Sequence, residues 1–132
     1  MSKSIRLNII APGKKPISED VISLNTTNSD GQIEFLGGHA PIISSTIPTI
    51  SRYKTISGAE VKLFTSTGII SVKDNIINFC TDSIDFKEEI DVNRAKEAKE
   101  RAEKRLKENS NIDRARAKRA LERSIQRLKL AE

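Results

Sequence analysis

The sequence predicts an α+β protein: an N-terminal antiparallel β-sandwich or barrel, followed by a C-terminal pair of helices. Three observations support this prediction. Ile, Leu, Val and Phe number 28 in residues 1–90 and only 7 in residues 91–132. The apolar residues of the first part form short runs between turn signals, whereas those of the second recur at helical intervals. The net charge also changes there, from −1 over residues 1–90 to +6 over residues 91–132.

The predicted strands are apolar runs at residues 5–9, 21–24, 33–36, 42–50, 61–64, 69–72 and 76–79. Turn signals such as Pro12-Gly13, Gly37-Gly38 and Asp74-Asn75 separate them. No strand alternates with a long helix, so a parallel sheet is not expected. Cys80 follows the last run directly, and a free cysteine in such a run is expected to be a buried small hydrophobe.

The helical part is predicted to begin at Asp91, the expected N-cap, with an apolar stripe of Val92, Ala95, Ala98, Ala102 and Leu106. Residues 107–111 interrupt the pattern, and Ser110 or Asn111 could cap a second helix. Its stripe is Ala117, Leu121, Ser124 or Ile125, and Leu128. Because the stripe is narrow and rich in Ala, the helices could fold back as an antiparallel hairpin or extend into one rod. We expect a sandwich domain over residues 1–87 and a mobile hairpin domain over residues 88–132.

Composition excludes several classes of protein. One Cys and one His cannot form an internal disulfide or a structural zinc site, which is typical of a reducing compartment. No apolar run approaches the roughly 20 residues of a membrane span, and the N-terminus does not resemble a signal peptide. We therefore expect an intracellular protein without direct membrane insertion.

Catalytic and metal-binding patterns are missing from the sequence. His39 has no acid–nucleophile pattern around it, the glycines form neither a Walker loop nor a dinucleotide fingerprint, and the acidic residues lack metal-ligand spacing. We expect neither catalytic residues nor a metal site, and His39 is interpreted as a loop histidine contacting its own domain or a partner.

Four arginines of the second helix share one face: Arg116, Arg119, Arg123 and Arg127, spaced by three and four residues. Such a stripe is either a solvated charged face or an anion site, because stacked guanidinium groups suit phosphates or a row of carboxylates. A helix N-terminus at Asp91 could add backbone N–H donors if the hairpin brought it near.

Three motifs occur in order along the chain. Residues 31–41 read Gly-Gln-Ile-Glu-Phe-Leu-Gly-Gly-His-Ala-Pro, Gly68 is followed by Val72 and Asn75-Ile76, and residues 90–95 read Ile-Asp-Val-Asn-Arg-Ala before an Ala-rich helical pair. This combination resembles the epsilon subunit of the bacterial rotary (F-type) ATP synthase over essentially the whole chain.

The resemblance implies a ten-stranded sandwich that docks on the central-stalk gamma subunit and on the membrane rotor ring, at the cytoplasmic face of the bacterial membrane. It implies a non-catalytic subunit that couples the catalytic head to the ion-driven rotor. When extended, its helices would reach the catalytic alpha and beta subunits and inhibit ATP hydrolysis. By position, the stalk and rotor interface would include Gln32, Gly38, His39, Ala40 and Pro41. Gln32 stands where many members have Glu.

Some members of this family bind ATP in the folded hairpin, as a regulatory ligand and not as a required cofactor. By position, Ile90, Asp91, Arg94 and Ala95 match that motif at the adenine and ribose end. Arg116, Arg123 and Arg127 fall where the second helix supplies phosphate-contacting arginines, and Asp85 stands where such members have Glu. The alternative is that Asp91 only caps its helix while Arg94 pairs with a nearby acid.

A second function remains open, namely a small β-barrel nucleic-acid-binding module with a basic helical tail. Base stacking needs aromatic platforms, and only 4% of the residues are aromatic. Residues 1–90 are also net negative, which is the wrong sign for a phosphate-binding face. We therefore expect no nucleic-acid partner.

Overall fold

The computed structural model describes residues 3–108 and 114–132. An N-terminal β-sandwich is followed by a short 3-10 helix (Lys87–Glu89) and two α-helices, as predicted. The strands within these ranges are β1 (Ile5–Ile10), β2 (Ile17–Asn28), β3 (Gly31–Leu36), β4 (Ile42–Thr46), β5 (Thr49–Thr55), β6 (Glu60–Thr65), β7 (Gly68–Lys73), β8 (Ile76–Thr81) and β9 (Ile84–Asp85). The helices are α1 (Val92–Lys107) and α2 (Arg114–Ala131).

The long strand β2 belongs to both layers of the sandwich. Its first half pairs with β1, with Val21 opposite Ile5, and its second half pairs with β3, with Ser23 opposite Leu36. The pairing with β5 shifts register between Val21 and Ser23, an irregularity that bends the strand from one layer into the other. The strand order is β4-β7-β8-β1-β2-β5-β6-β9, with β3 beside β2.

Strand alternation fills the core between the layers and explains one wrong prediction. In β8 the buried side chains are Ile77, Phe79 and Thr81, so Cys80 points outward and is exposed. The expected burial of Cys80 was wrong because the period of two, and not the apolar character of the run, decides which face a residue occupies.

The pairing of β1 with β8 is parallel, with Leu7 opposite Ile77, although no parallel pairing was expected. This pairing joins residues about 70 positions apart, as the side-chain contact of Asn8 with Asn78 illustrates, so no local pattern could indicate it. The apolar run at residues 42–50 divides into β4 and β5, and the two-residue strand β9 was not predicted. The described residues therefore form nine strands where the resemblance implied ten.

Gly68, the first residue of β7, lies against the backbone of β8. A Cβ at this position would overlap the backbone carbonyl oxygen of Cys80 and lie 2.8 Å from the Cα of Thr81. Gly68 pairs with Thr81 in the register of β7 and β8. The two backbones can come this close because glycine has no Cβ.

The two helices pack against each other as an antiparallel hairpin, and α2 also packs on β5 and β6. Buried helix residues are mostly small: Ala95 and Ala102 of α1, and Ala117, Ser124 and Leu130 of α2. Val92 was expected in the buried stripe but is 39% exposed, at the edge of an open cleft that it lines with Ile125 and Leu128 of α2. Asp91 is the N-cap of α1, as predicted, whereas Ser110 and Asn111 lie outside the described residues. Neither helix is long and apolar enough to span a membrane within the ranges described.

Candidate functional site

A groove runs between α1 and α2 and consists of two cavities of about 440 and 270 Å³. Ala98, Arg101, Ser124 and Arg127 line both cavities, which therefore adjoin each other. We call it the arginine groove, after the arginines along its walls: Arg94, Arg101, Arg105, Arg116, Arg123 and Arg127.

The larger cavity is built around the start of α1. Ile90, Asp91, Arg94 and Ala95 all line it, so the structure brings together the four motif residues predicted from the sequence. Asp91 Oδ1 accepts the backbone N–H of Arg94 at 3.1 Å, which fixes the first turn of the helix beside the cavity. Ala95 is buried and Arg94 is exposed.

The smaller cavity contains most of the positive charge. Arg116, Arg123 and Arg127 of α2 line it as predicted, whereas Arg119 lines neither cavity. Arg101 and Arg105 of α1 complete the wall and were missed by the sequence analysis. A signal was available, because they follow Arg94 at spacings of seven and eleven residues, which return to the same helix face.

The pKa of Arg123 reflects its burial and the positive charge around this cavity. Burial lowers the pKa of its guanidinium, and the positive charges of Arg127, Arg119 and Arg116 lower it further, while Asp82 opposes them. An anion in the groove would relieve this repulsion and favour the charged form. The groove is thus suited to a polyanion such as a chain of phosphates.

Arg127 ties α2 to the sandwich. Its Nε donates to Asp85 Oδ2 at 2.9 Å, a terminal guanidinium nitrogen donates to Ser83 Oγ at 3.2 Å, and the guanidinium carbon lies 4.4 Å from the ring centre of Phe64. No local pattern indicated this pairing, because Arg127 and Asp85 are 42 positions apart.

Lys14, in the β1–β2 loop, extends the network on the sandwich side. Its Nζ lies 3.7 Å from Asp85 Oδ1 and 2.9 Å from Glu89 Oε2. The hydrogen bond to Glu89 raises the pKa of Lys14. The pKa of Glu89 is lowered, first by the backbone N–H of Phe86, which it accepts at 3.0 Å, and then by Lys14.

Four of the five predicted stalk-interface residues share one loop, Gly38 to Pro41, directly after β3. The backbone N–H of Gly38 donates to Asn75 Oδ1 at 2.9 Å, and the φ of +79° at this residue favours glycine. The His39 ring packs on Phe35 with ring centres 5.1 Å apart, so His39 contacts its own domain as expected. The loop is thereby held in a fixed position.

Gln32 is not brought together with this loop. It lies near the start of β3, about 20 Å away at the rise of a β-strand. There it lines a polar cleft with Gln126 and Lys129 of α2, so one wall of that cleft belongs to the hairpin.

An apolar patch covers the outer face of β4, β7, β8 and β1. Ile43 is 76% exposed, Ile69 57% and Ile10 48%. Cys80 lies opposite Ile69 on one side and opposite Ile10 on the other, so the three side chains form one row across neighbouring strands. We call Ile10, Ile43, Ile69 and Cys80 the apolar patch. Adjacent exposed isoleucines of this kind are typical of an interaction surface.

Two family models match the chain. The ATP synthase delta/epsilon chain beta-sandwich domain matches residues 4–87, and the ATP synthase delta/epsilon chain long alpha-helix domain matches residues 88–132. The β-sandwich and the long helices of the structure lie in the ranges that these two models match. The chain belongs to the ATP synthase delta/epsilon chain family.

Relatives agree with this assignment, and two solved structures share the fold. An ATP synthase epsilon chain of Clostridium perfringens is 42% identical over 106 residues, 80% of each chain, and one of Clostridium botulinum is 40% identical, covering 86% of this chain and 85% of the relative. A chain in the Euglena gracilis mitochondrial ATP synthase (OSCP/F1/c-ring) superposes with a TM-score of 0.82 at 22% identity, covering 93% of this chain and 78% of that one. One in the Tetrahymena thermophila mitochondrial ATP synthase (central stalk/c-ring) gives 0.64 at 11% identity with full coverage of both. The two structures support the fold.

Proposed function

We propose that this chain is a non-catalytic rotor subunit of a bacterial ATP synthase, which docks on the central stalk and the membrane rotor ring and couples them to the catalytic head. The observation that supports docking is the apolar patch. Its side chains lie on four neighbouring strands of one sheet, β4, β7, β8 and β1, and offer a preformed surface for a partner of matching shape. The protein would thus lie at the cytoplasmic face of the membrane without inserting into it.

Co-purification with the isolated central-stalk gamma subunit tests this role. We expect a stoichiometric complex that survives gel filtration. Failure of the full chain to bind gamma would overturn the docking proposal. Binding that is retained after residues 89–132 are deleted would assign the contact to the sandwich.

The hairpin is the proposed regulatory element. Its interface is made largely of alanine side chains, and Leu121, Ile125 and Leu128 stay half-buried, so little apolar area opposes opening. We propose that the extended helices reach the catalytic subunits and inhibit ATP hydrolysis. Deleting residues 89–132 should then raise ATP hydrolysis by the assembled enzyme, and unchanged hydrolysis would exclude inhibition.

ATP is the proposed ligand of the folded hairpin. The arginine groove supports this proposal, because six arginines line it while the motif residues at the start of α1 leave room for a nucleoside beside them. A ligand that binds only the folded form would stabilise it by about 2.7 kcal/mol at a hundredfold excess over Kd. Calorimetric titration of the isolated chain tests the site, and no heat of binding at several millimolar ATP would overturn it.

The nucleic-acid alternative has less support. Phe35, Phe64, Phe79 and Tyr53 are buried and Phe86 is half-buried, so no exposed ring is available for base stacking in the described ranges. A gel-shift titration with DNA and RNA at several salt concentrations would separate the two functions.

A further inference from the structure

We propose that Asp85 is an internal anion for the arginine groove: it pairs with Arg127, holds the hairpin closed when no nucleotide is bound, and is replaced at Arg127 by a ligand phosphate. The pairing of Asp85 with Arg127 and the closed hairpin are properties of the chain without ligand. Only the replacement of Asp85 by phosphate rests on the proposed ATP site.

The contacts of Arg127 all cross from the hairpin to the sandwich side. Arg127 belongs to α2, whereas Asp85, Ser83 and Phe64 all precede the helices. Its side chain is 29% exposed and that of Asp85 18%. The pair is therefore shielded from water more than an ordinary surface ion pair, and it is reinforced by a hydrogen bond and a ring contact.

Both carboxylate oxygens of Asp85 face a cation. Oδ2 accepts from Arg127 and Oδ1 lies 3.7 Å from Lys14 Nζ, which Glu89 holds at 2.9 Å. Asp85 is thus directed toward Arg127 and Lys14 and is not free to contact a base. Its role in this chain is to hold α2 on the sandwich and not to recognise a ligand.

Asp85 and Arg127 also line the larger cavity, and Arg127 lines the smaller one as well. A phosphate entering the groove approaches the same guanidinium that Asp85 occupies. Because one guanidinium offers a limited set of in-plane donors, the phosphate and the carboxylate compete for it. The closed hairpin therefore needs an anion at Arg127, and when no ligand is bound the carboxylate of Asp85 is that anion.

Hydrogen exchange on the full chain without nucleotide tests the internal anion, because it detects rare opening of the hairpin. In Asp85→Asn we expect protection of the α2 amides to fall roughly tenfold, the effect typical of losing a charged hydrogen bond. Amides of β1 and β8 should keep their protection, which reports an intact sandwich. Glu88→Gln is the matched control: it removes an exposed negative charge three residues from Asp85 that does not pair with Arg127, and α2 protection should change less than about twofold.

A double-mutant cycle tests the same contact by also changing Arg127 of α2. Arg127→Gln should lower α2 protection, and adding Asp85→Asn should lower it little further, because the two residues act through one contact. Equal protection in Asp85→Asn and the unmodified chain, or full additivity in the cycle, would overturn the internal anion.

Saturating ATP completes the test. ATP should restore α2 protection in Asp85→Asn, because phosphates then neutralise Arg127. If ATP binds to this variant by calorimetry but protection does not return, the replacement of Asp85 by phosphate is wrong. If ATP does not bind to either chain, the ATP site of the proposed function fails, while the nucleotide-free result still decides whether Asp85 holds the hairpin.

Discussion

The carboxylate of Asp91 accepts the backbone N–H of Arg94 at 3.1 Å, so two residues of the motif at the start of α1 are joined by a helix cap. Asp91 therefore has a structural task independent of any ligand. Asp91→Ala should lower the stability of the hairpin by about 1 kcal/mol, whereas Asp91→Ser should keep it, because a serine hydroxyl also accepts this hydrogen bond. Far-UV circular dichroism during thermal unfolding measures both. Equal loss in the two variants would contradict the cap.

The groove should distinguish two arginines that are both exposed. Arg101 lines both cavities and Arg119 lines neither. Arg101→Ala should weaken ATP binding roughly tenfold or more, the effect of losing one charged hydrogen bond, and Arg119→Ala should have little effect. Calorimetry on both variants gives the comparison. If Arg119→Ala weakened binding as strongly, the whole charged face and not the groove would be responsible.

The apolar patch should carry much of the affinity for the central stalk. Ile69→Ser removes an exposed isoleucine at its centre and should weaken gamma binding by about 1–2 kcal/mol, because that side chain would no longer be buried on association. Ile56→Ser is the matched control, since Ile56 is similarly exposed at 58% but lies in the turn between β5 and β6. Surface plasmon resonance with immobilised gamma measures both affinities, and equal losses would place the contact elsewhere.

Gly68→Ala should destabilise the sandwich by about 1–3 kcal/mol, the usual effect of forcing extra atoms into a packed region. The new methyl group would overlap the backbone of Cys80, which cannot move without breaking the β7–β8 pairing. Urea unfolding at equilibrium measures the change. Ser71→Ala on the same strand is the control and should leave the unfolding midpoint nearly unchanged.

The Lys14–Glu89 ion pair gives a small pH dependence of known sign. The lowered pKa of Glu89 stabilises the folded chain above the ordinary glutamate range, and this contribution is lost as pH falls below about 4. The raised pKa of Lys14 acts at neutral pH and is lost only in strong alkali. Both side chains are more than a third exposed, so the effect should be about 0.5 kcal/mol or less.

Thermal midpoints measured against pH test this sign. In Glu89→Gln the thermal midpoint should fall less as the pH is lowered through the acidic range. Glu88→Gln changes the neighbouring exposed residue and should leave this fall unchanged. A curve for Glu89→Gln that matches the unmodified chain would contradict the assignment.

Local pattern was enough to predict the main strands and the Asp91 cap, because each depends on spacing within a few residues. Spacing also predicted four arginines on one face of α2, but Arg119 lines neither cavity, and the set of Arg116, Arg123 and Arg127 came from the family resemblance.

Cys80 was assigned to the wrong face because the apolar character of its run was used in place of the alternation along the strand. Local pattern could not predict the parallel β1–β8 pair, which depends on segments brought together only by folding. The Asp85–Arg127 pair is of the same kind, since neither residue stands in a local pattern with the other.

The position of α2 between α1 and the sandwich constrains any movement of the helices. The main packing partner of α1 is α2, whereas α2 has one face on α1 and another on β5 and β6. Because α1 is joined to the sandwich at its N-terminal end and to α2 at its C-terminal end, it has no free end with which to leave while α2 stays on the sheet. Opening of the hairpin must therefore lift α2, which breaks both interfaces together with the Arg127 contacts. The second helix, and not the first, thus secures the folded arrangement.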